Sequence, residues 1–162
     1  MASPKKTNAC RTLDELGVVY ELRTYDVDLD DLSAESVAAK IGLPAAQVFK
    51  TLCVAADDRS HLLGVVPGDQ ALDLKALARA AGKKSVEPVP LKQLVALTGY
   101  MRGAVTALAL KKPLPVFVDA SVERHPVISV SAGQRGLQIL IAPADYRRAT
   151  SATLAPLARP KA

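Results

Sequence analysis

A chain of 162 residues carrying a net charge of +5 has the length of one domain. With 49% hydrophobic and 23% charged residues, it holds enough apolar material for a core that needs no metal or disulfide staple. Cys10 and Cys53 stand in neither metal-ligand nor redox spacing, and the apolar runs are far shorter than the ~20 residues of a membrane helix, so a metal site, a disulfide scaffold and a membrane span are excluded.

No secretory hydrophobic region is visible at the N-terminus, and the expected location is the cytoplasm. The charge is uneven: residues 1–99 carry a net −1 and residues 100–162 a net +6. A basic C-terminal third suits phosphate backbone, with salt-sensitive binding, or is simply a solubilising surface. Aromatics are only 4%, too few for a platform that stacks successive bases.

In chain order, Thr7 to Leu16 reads as an amphipathic helix stopped by Gly17, followed by a strand from Val18 to Tyr25. The acidic run Asp26–Asp31 is a loop, and Ser33 caps a helix from Ala34 to Ile41 that ends at Gly42. Val48 to Ala56 and His61 to Val66 form a hairpin around Asp57–Ser60. Asp73 caps Leu74 to Ala81, closed by Gly82, and a helix follows Pro90 from Leu91 to Leu97, stopped by Gly99. Three strands come next, Val116 to Asp119, Ile128 to Ser131 and Leu137 to Ile141, then a helical turn or two from Ala144 to Ala149. The tail from Ser151, with Pro156 and Pro160, is expected to fray. This mixture predicts a single α+β (mixed α/β) domain over residues 1–150 and a frayed tail over 151–162.

A few positions carry chemistry. Strand alternation puts Val48, Lys50, Leu52 and Val54 on one face and Cys53 on the other. An ammonium among aliphatic neighbours either snorkels to water or meets an anion. Cys53 reads as a small buried hydrophobe. Tyr25 ends its strand, either covering the core or offering its phenol to a ligand. The turn Ser131-Ala132-Gly133-Gln134-Arg135-Gly136-Leu137 merely reverses the chain, or presents backbone N–H groups and a guanidinium to an anionic or carbonyl-bearing ligand. His61 and His125 have no Ser or Asp partner visible in the sequence, so no catalytic triad is expected. No GxxxxGK[ST] run is present, and ATP use is not indicated.

Val48-Phe49-Lys50-Thr51-Leu52, Leu72-Asp73-Leu74-Lys75, Thr98-Gly99-Tyr100, Lys111-Lys112-Pro113-Leu114-Pro115 and the glycine turn followed by Ala142-Pro143-Ala144-Asp145 occur in one order. Together, from about Asn8 to Asp145, they resemble the YbaK/EbsC family of freestanding aminoacyl-tRNA deacylases. The resemblance implies a compact, strongly curved, barrel-like mixed sheet flanked by helices. It implies Lys50 and Tyr25 as catalytic residues, and Tyr100, Gly103, Ser131, Gly133, Arg135, Gly136 and Gln138 as substrate-binding ones. Arg102, Lys111 and Lys112 would contact tRNA. It further implies no cofactor and no metal, and as partners the tRNA acceptor end and a prolyl-tRNA synthetase rather than DNA or a membrane.

Three departures stand out. Gln138 occupies a position where many relatives have an acid, and Gln134-Arg135 replaces their lysine-arginine pair. The loop that reads GGxSPxG in relatives is Gly103-Ala104-Val105-Thr106-Ala107-Leu108-Ala109 here; its added methyls are expected to narrow the ligand space. The expected function is removal of cysteine wrongly attached to tRNA(Pro), and of cysteine from Cys-tRNA(Cys), assisted by the substrate's own thiol. The alternatives are water-driven hydrolysis of another small aminoacyl-tRNA (alanine or serine), or a non-catalytic adaptor that binds tRNA or a synthetase.

Overall fold

The computed structural model describes residues 5–161. Short polar side chains start the helices. The Thr7 hydroxyl accepts from the Cys10 amide at α1 (Asn8–Glu15), with Tyr20–Thr24 following as β1. Ser33 accepts from the Ser36 amide at α2 (Ala34–Ile41). Beyond it come β2 (Phe49–Ala56), β3 (His61–Pro67) and β4 (Gln70–Leu72). Asp73 then accepts from the Ala76 amide at α3 (Leu74–Ala81). Each contact satisfies one of the orphan N–H groups at a helix start.

After β5 (Val86–Pro88), the expected helix from Leu91 begins as a 3₁₀ turn, Leu91–Gln93, and continues as α4 (Leu94–Thr98). Then follow β6 (Val116–Asp119), β7 (Ile128–Ser131), β8 (Leu137–Ile141) and α5 (Pro143–Thr150). The chain ends with β9 (Thr153–Ala155) and β10 (Ala158–Pro160). No helix among the described residues is long and apolar enough to cross a membrane.

The strands form a five-stranded sheet in the order β5-β2-β3-β6-β9, a three-stranded sheet β1-β8-β7 and the pair β10-β4. The larger sheet is mixed: β2 and β3 are antiparallel, while β3–β6 and β6–β9 are parallel. A parallel bridge between Val48 and Ser129 ties the two larger sheets together. The mixed α/β single domain expected from the sequence is therefore observed.

The central strand β3 faces two cores. Leu63 and Val65 pack with Leu13, Ile139 and Tyr146, while Leu62 and Val66 pack with Leu77 and Leu157. Burial on both faces explains why His61 to Val66 reads as a nearly unbroken apolar run rather than an alternating one.

The tail overturns its expectation. Instead of fraying after Ser151, the chain adds β9 alongside β6 and β10 against β4. Asp119 holds it in place, its Oδ1 accepting from the amides of Leu157 (2.8 Å) and Ala158 (3.0 Å). Between those strands Leu157 is fully buried in the second core. Two prolines read as breakers in the sequence, but both strands are only three residues long and Pro160 lies in a terminal strand that needs few donors.

Candidate active site

One cavity of about 360 Å³ lies between β2, the start of α2, the α4 region and the 102–105 loop. Its wall is mostly apolar, with Val37, Phe49, Leu52, Val89, Leu94 and Val105, and its polar groups come from Ser33, Lys50, Thr51, Arg102, Ser131, Gln138 and Lys161. An apolar enclosure with a few convergent polar groups is the usual form of a small-molecule site.

Lys50 reaches this cavity from β2, where it pairs in register with Val66. The alternation inferred from sequence holds around it: Leu52 and Val54 pack into the second core and Cys53 into the first. The Lys50 ammonium has one long contact, donating to the Gly68 carbonyl at 3.5 Å. Burial lowers its pKa below the ordinary lysine value, and the nearby Lys161 ammonium lowers it further, against the opposing pull of Glu35 and Asp69. A half-buried ammonium with donors to spare is set to meet an anion or a polarised oxygen.

Of the lining residues, none of Ser131, Ser33 and Cys53 is an activated nucleophile. The Ser131 hydroxyl donates to the Ala104 carbonyl (2.9 Å) and accepts from the Gly133 amide (3.1 Å). Ser33 is committed to capping α2. Burial pushes the Cys53 thiol up to about 11, so it stays protonated at neutral pH, and thiolate rather than thiol is the reactive form. His125 stacks edge-on against Phe49. Among the described residues, no cluster of His, Cys, Asp or Glu is arranged to hold a metal.

The structure brings Lys50, Arg102, Gly103, Ser131 and Gln138 together on the cavity. Gln138 is only 5% exposed, and its Oε1 accepts from the Ser129 hydroxyl at 2.8 Å. That bond leaves the amide nitrogen as the end that can serve a ligand.

Several expected residues lie elsewhere. Tyr25 borders a separate, more open pocket with Thr24, Asp26 and Lys40, and its side chain packs on the cluster of Val37, Ala38, Ile41 and Val48. Gly133, Arg135 and Gly136 do not reach the cavity wall. The glycine turn is instead a brace. Gly133 has φ +91°, and a Cβ there would meet the Tyr100 ring at 2.6 Å. The Arg135 guanidinium donates to the Arg102 carbonyl (2.9 Å), stitching the turn to the 102–103 loop.

Tyr100 is likewise no wall residue: its hydroxyl donates to the Leu108 carbonyl at 2.6 Å and lies 3.1 Å from that of Ala109. Lys111 and Lys112 are exposed and away from the cavity. The loop alanines also act differently from expectation. Ala104 is buried and off the cavity wall, so its methyl does not narrow the ligand space. Ala109 adopts φ +53°, a left-handed conformation held by the Tyr100 contact.

A model of the family described as "Aminoacyl-tRNA editing domain" matches residues 31–149. The chain belongs to that family. A protein of Enterococcus faecalis named as the Cys-tRNA(Pro)/Cys-tRNA(Cys) deacylase EbsC is 42% identical over 139 residues, covering 86% of this chain and 85% of that one. The proline–tRNA ligase of Streptomyces griseus is 33% identical over 96 residues, 59% of this chain and 16% of the ligase. A crystal structure described as a trans-editing enzyme for prolyl-tRNA synthetase superposes with a TM-score of 0.79 at 20% identity, covering 96% of this chain and 99% of that one. The YbaK/EbsC resemblance is thereby borne out.

Three residues of this editing domain's cavity region escaped the sequence reading. Gly68 accepts from Lys50, and a Cβ there would collide with Ala34 and the Val48 carbonyl at 2.7 and 2.9 Å. Glu35 and Lys161 form an ion pair at the cavity's edge. A Pro-Gly pair such as Pro67-Gly68 is a turn signal, but nothing in the sequence ties residue 161 to Lys50.

Proposed function

We propose that the protein is a trans-editing aminoacyl-tRNA deacylase that releases cysteine from mischarged tRNA(Pro). The observation that carries this reading is an ammonium, Lys50, facing an apolar cavity where the Ser33 and Ser131 hydroxyls are held in hydrogen bonds and the Cys53 thiol is protonated. Such a site positions a labile ester and stabilises charge; it does not attack.

The attacking group then comes from the substrate. The cysteine sulfur bonds to its own carbonyl carbon and the bond from that carbon to the ribose oxygen breaks. The thiol proton passes to the leaving ribose hydroxyl, and the amino acid departs as a cyclic thiolactone. Lys50 fixes the terminal adenosine or the ester oxygens. Gln138, pinned by Ser129, offers its amide N–H groups to the aminoacyl end. Arg102 at the rim and the exposed Lys111 and Lys112 contact tRNA backbone, and a prolyl-tRNA synthetase is the enzyme whose errors are corrected. Amino acids of similar size differ little in binding energy, which is why a second hydrolytic check is useful.

The test is release of the amino acid from cysteinyl-, alanyl- and seryl-tRNA(Pro), repeated with cysteine whose thiol is blocked. Loss of cysteine that stops on blocking is the expected result. Release of alanine or serine instead would transfer the attack to water, with Gln138 setting the preference. Release from none of them would leave a binding adaptor.

A further inference from the structure

Lys161 lies outside the residues matched by the editing-domain model and beyond every motif in the sequence. It nevertheless lines the same cavity as Lys50. The fold delivers it there by a chain of contacts. Pro160 pairs in register with Gln70, so the next residue falls over the Gly68–Asp69 turn, and Gly68 is the acceptor of the Lys50 ammonium. Asp119 fixes the approach by binding the amides of Leu157 and Ala158. Two ammonium groups far apart in the chain thus converge on one rim.

Like charges in proximity repel, and the fold needs a reason to hold them together. Glu35 pairs directly with Lys161 alone, and the two side chains are 49% and 39% exposed; on Lys50, Glu35 and Asp69 act only through space. An ion pair that open to water is worth about 0–1 kcal/mol, so a more highly charged anion can displace the carboxylate. Lys50 meanwhile has only its long contact to Gly68. The pair offers up to six N–H donors, minus those held by Gly68 and Glu35, to a group with several oxygens.

We propose that Lys161 and Lys50 together form a seat for a phosphate group at the cavity mouth, and that the phosphate is the one joined to the 5′ oxygen of the terminal adenosine of the tRNA. Lys161 is then a positioning residue: it binds a group remote from the ester and sets the depth to which the aminoacyl end enters. The nucleic-acid source of the phosphate rests on the deacylase reading; the two-ammonium seat does not.

Adenosine 5′-monophosphate, adenosine and inorganic phosphate separate these points, titrated into the full chain and followed by NMR. The wild type should prefer the nucleotide over adenosine, and Lys161→Ala should cut that preference about 3- to 10-fold, the range of one charge-assisted contact at a partly exposed site. Lys161→Arg should restore most of it, and Glu35→Gln should increase it by removing the competing carboxylate. The ladder between β10 and β4 is made by backbone and ends at Pro160, so the Lys161 variants leave the fold undisturbed.

Equal affinity for nucleotide and nucleoside, binding of neither, or a preference indifferent to residue 161 would each overturn the proposal. Inorganic phosphate binding as tightly as the nucleotide would overturn the assignment to the terminal adenosine. A wild type inactive on every aminoacyl-tRNA, yet with a preference that depends on Lys161, would sink the deacylase reading and keep the seat. Full deacylation with a preference independent of Lys161 would do the reverse.

Discussion

The glycine turn at 131–137 and the tail at 151–161 exchange the roles their sequences suggest. The turn has the composition of a ligand cradle, with two glycines and an arginine, yet Gly133 is covered by the Tyr100 ring and Arg135 is bound to the Arg102 carbonyl. The tail has the composition of a frayed end, yet it supplies two strands and a lysine to the cavity. Glycine reports that space is needed at a position but not what fills it, and here the occupant is protein.

The comparison can be broken at four places. The largest effect belongs to Lys50, the residue to which both regions are secondary. Lys50→Ala should lower kcat/KM on cysteinyl-tRNA(Pro) on the order of 10²–10³-fold, the usual cost of losing one preorganised charge-stabilising donor. Its urea midpoint should stay at or above the wild-type value, because the ammonium is half-buried with one long contact. Undiminished turnover would remove Lys50 from the mechanism.

Asp119 tests whether the tail is really built in. The residue is 7% exposed. Burial alone would raise its pKa, but hydrogen bonds from Ser121, Leu157 and Ala158 outweigh burial and hold it below the ordinary carboxylate value. Asp119→Ala should cost about 2–3 kcal/mol in urea unfolding, the range for hydrogen bonds to a charged group, and expose the tail to limited proteolysis. Because the folded pKa is depressed, the contribution of this carboxylate is complete above its unfolded value and is lost as pH falls through the folded one. Urea melts at decreasing pH should therefore show an acid loss of stability that is smaller in Asp119→Asn than in wild type.

Gly133 and Tyr100 test the brace. Gly133→Ala places a non-glycine residue at φ +91° and a methyl against the ring, and should cost about 1–3 kcal/mol. Part of that cost is the collision, so in a Tyr100→Ala background the same substitution should cost less. Strict additivity in this double-mutant cycle would mean that the ring is not what demands the glycine.

The smallest effect has the opposite sign. Ala109 sits at φ +53°, and Ala109→Gly should raise stability by about 1 kcal/mol, the cost of the left-handed region for a residue with a Cβ. A loss on thermal melting would show that the methyl is buried to advantage.

The helices that begin at Ser33 and Asp73 were legible to the residue because a cap and a glycine stop are local chemistry within one turn. So were β6, β7 and β8, short apolar runs bounded by turn residues. What the sequence hid were β4, β5, β9 and β10, each of three residues. Strands that short carry no periodicity of their own and form only because a neighbour supplies a ladder. The site divides along the same line. Lys50 could be singled out because an ammonium inside an aliphatic strand is costly wherever it lies, whereas Tyr25, Gly133 and Lys161 could be placed on or off the cavity only by long-range pairing.

By itself, then, the chain's sequence determined its capped helices, its central strands, its family and one lysine that lines the cavity, because each rests on interactions within a few residues or on one ordered set of motifs. The tertiary structure alone decided that residue 161 stands beside residue 50 and that Tyr100 rather than a ligand fills the space over Gly133. Those outcomes depend on β10 pairing with β4 and on the loop after Gly99 folding onto the 131–137 turn, contacts between segments far apart in the chain that no local pattern encodes.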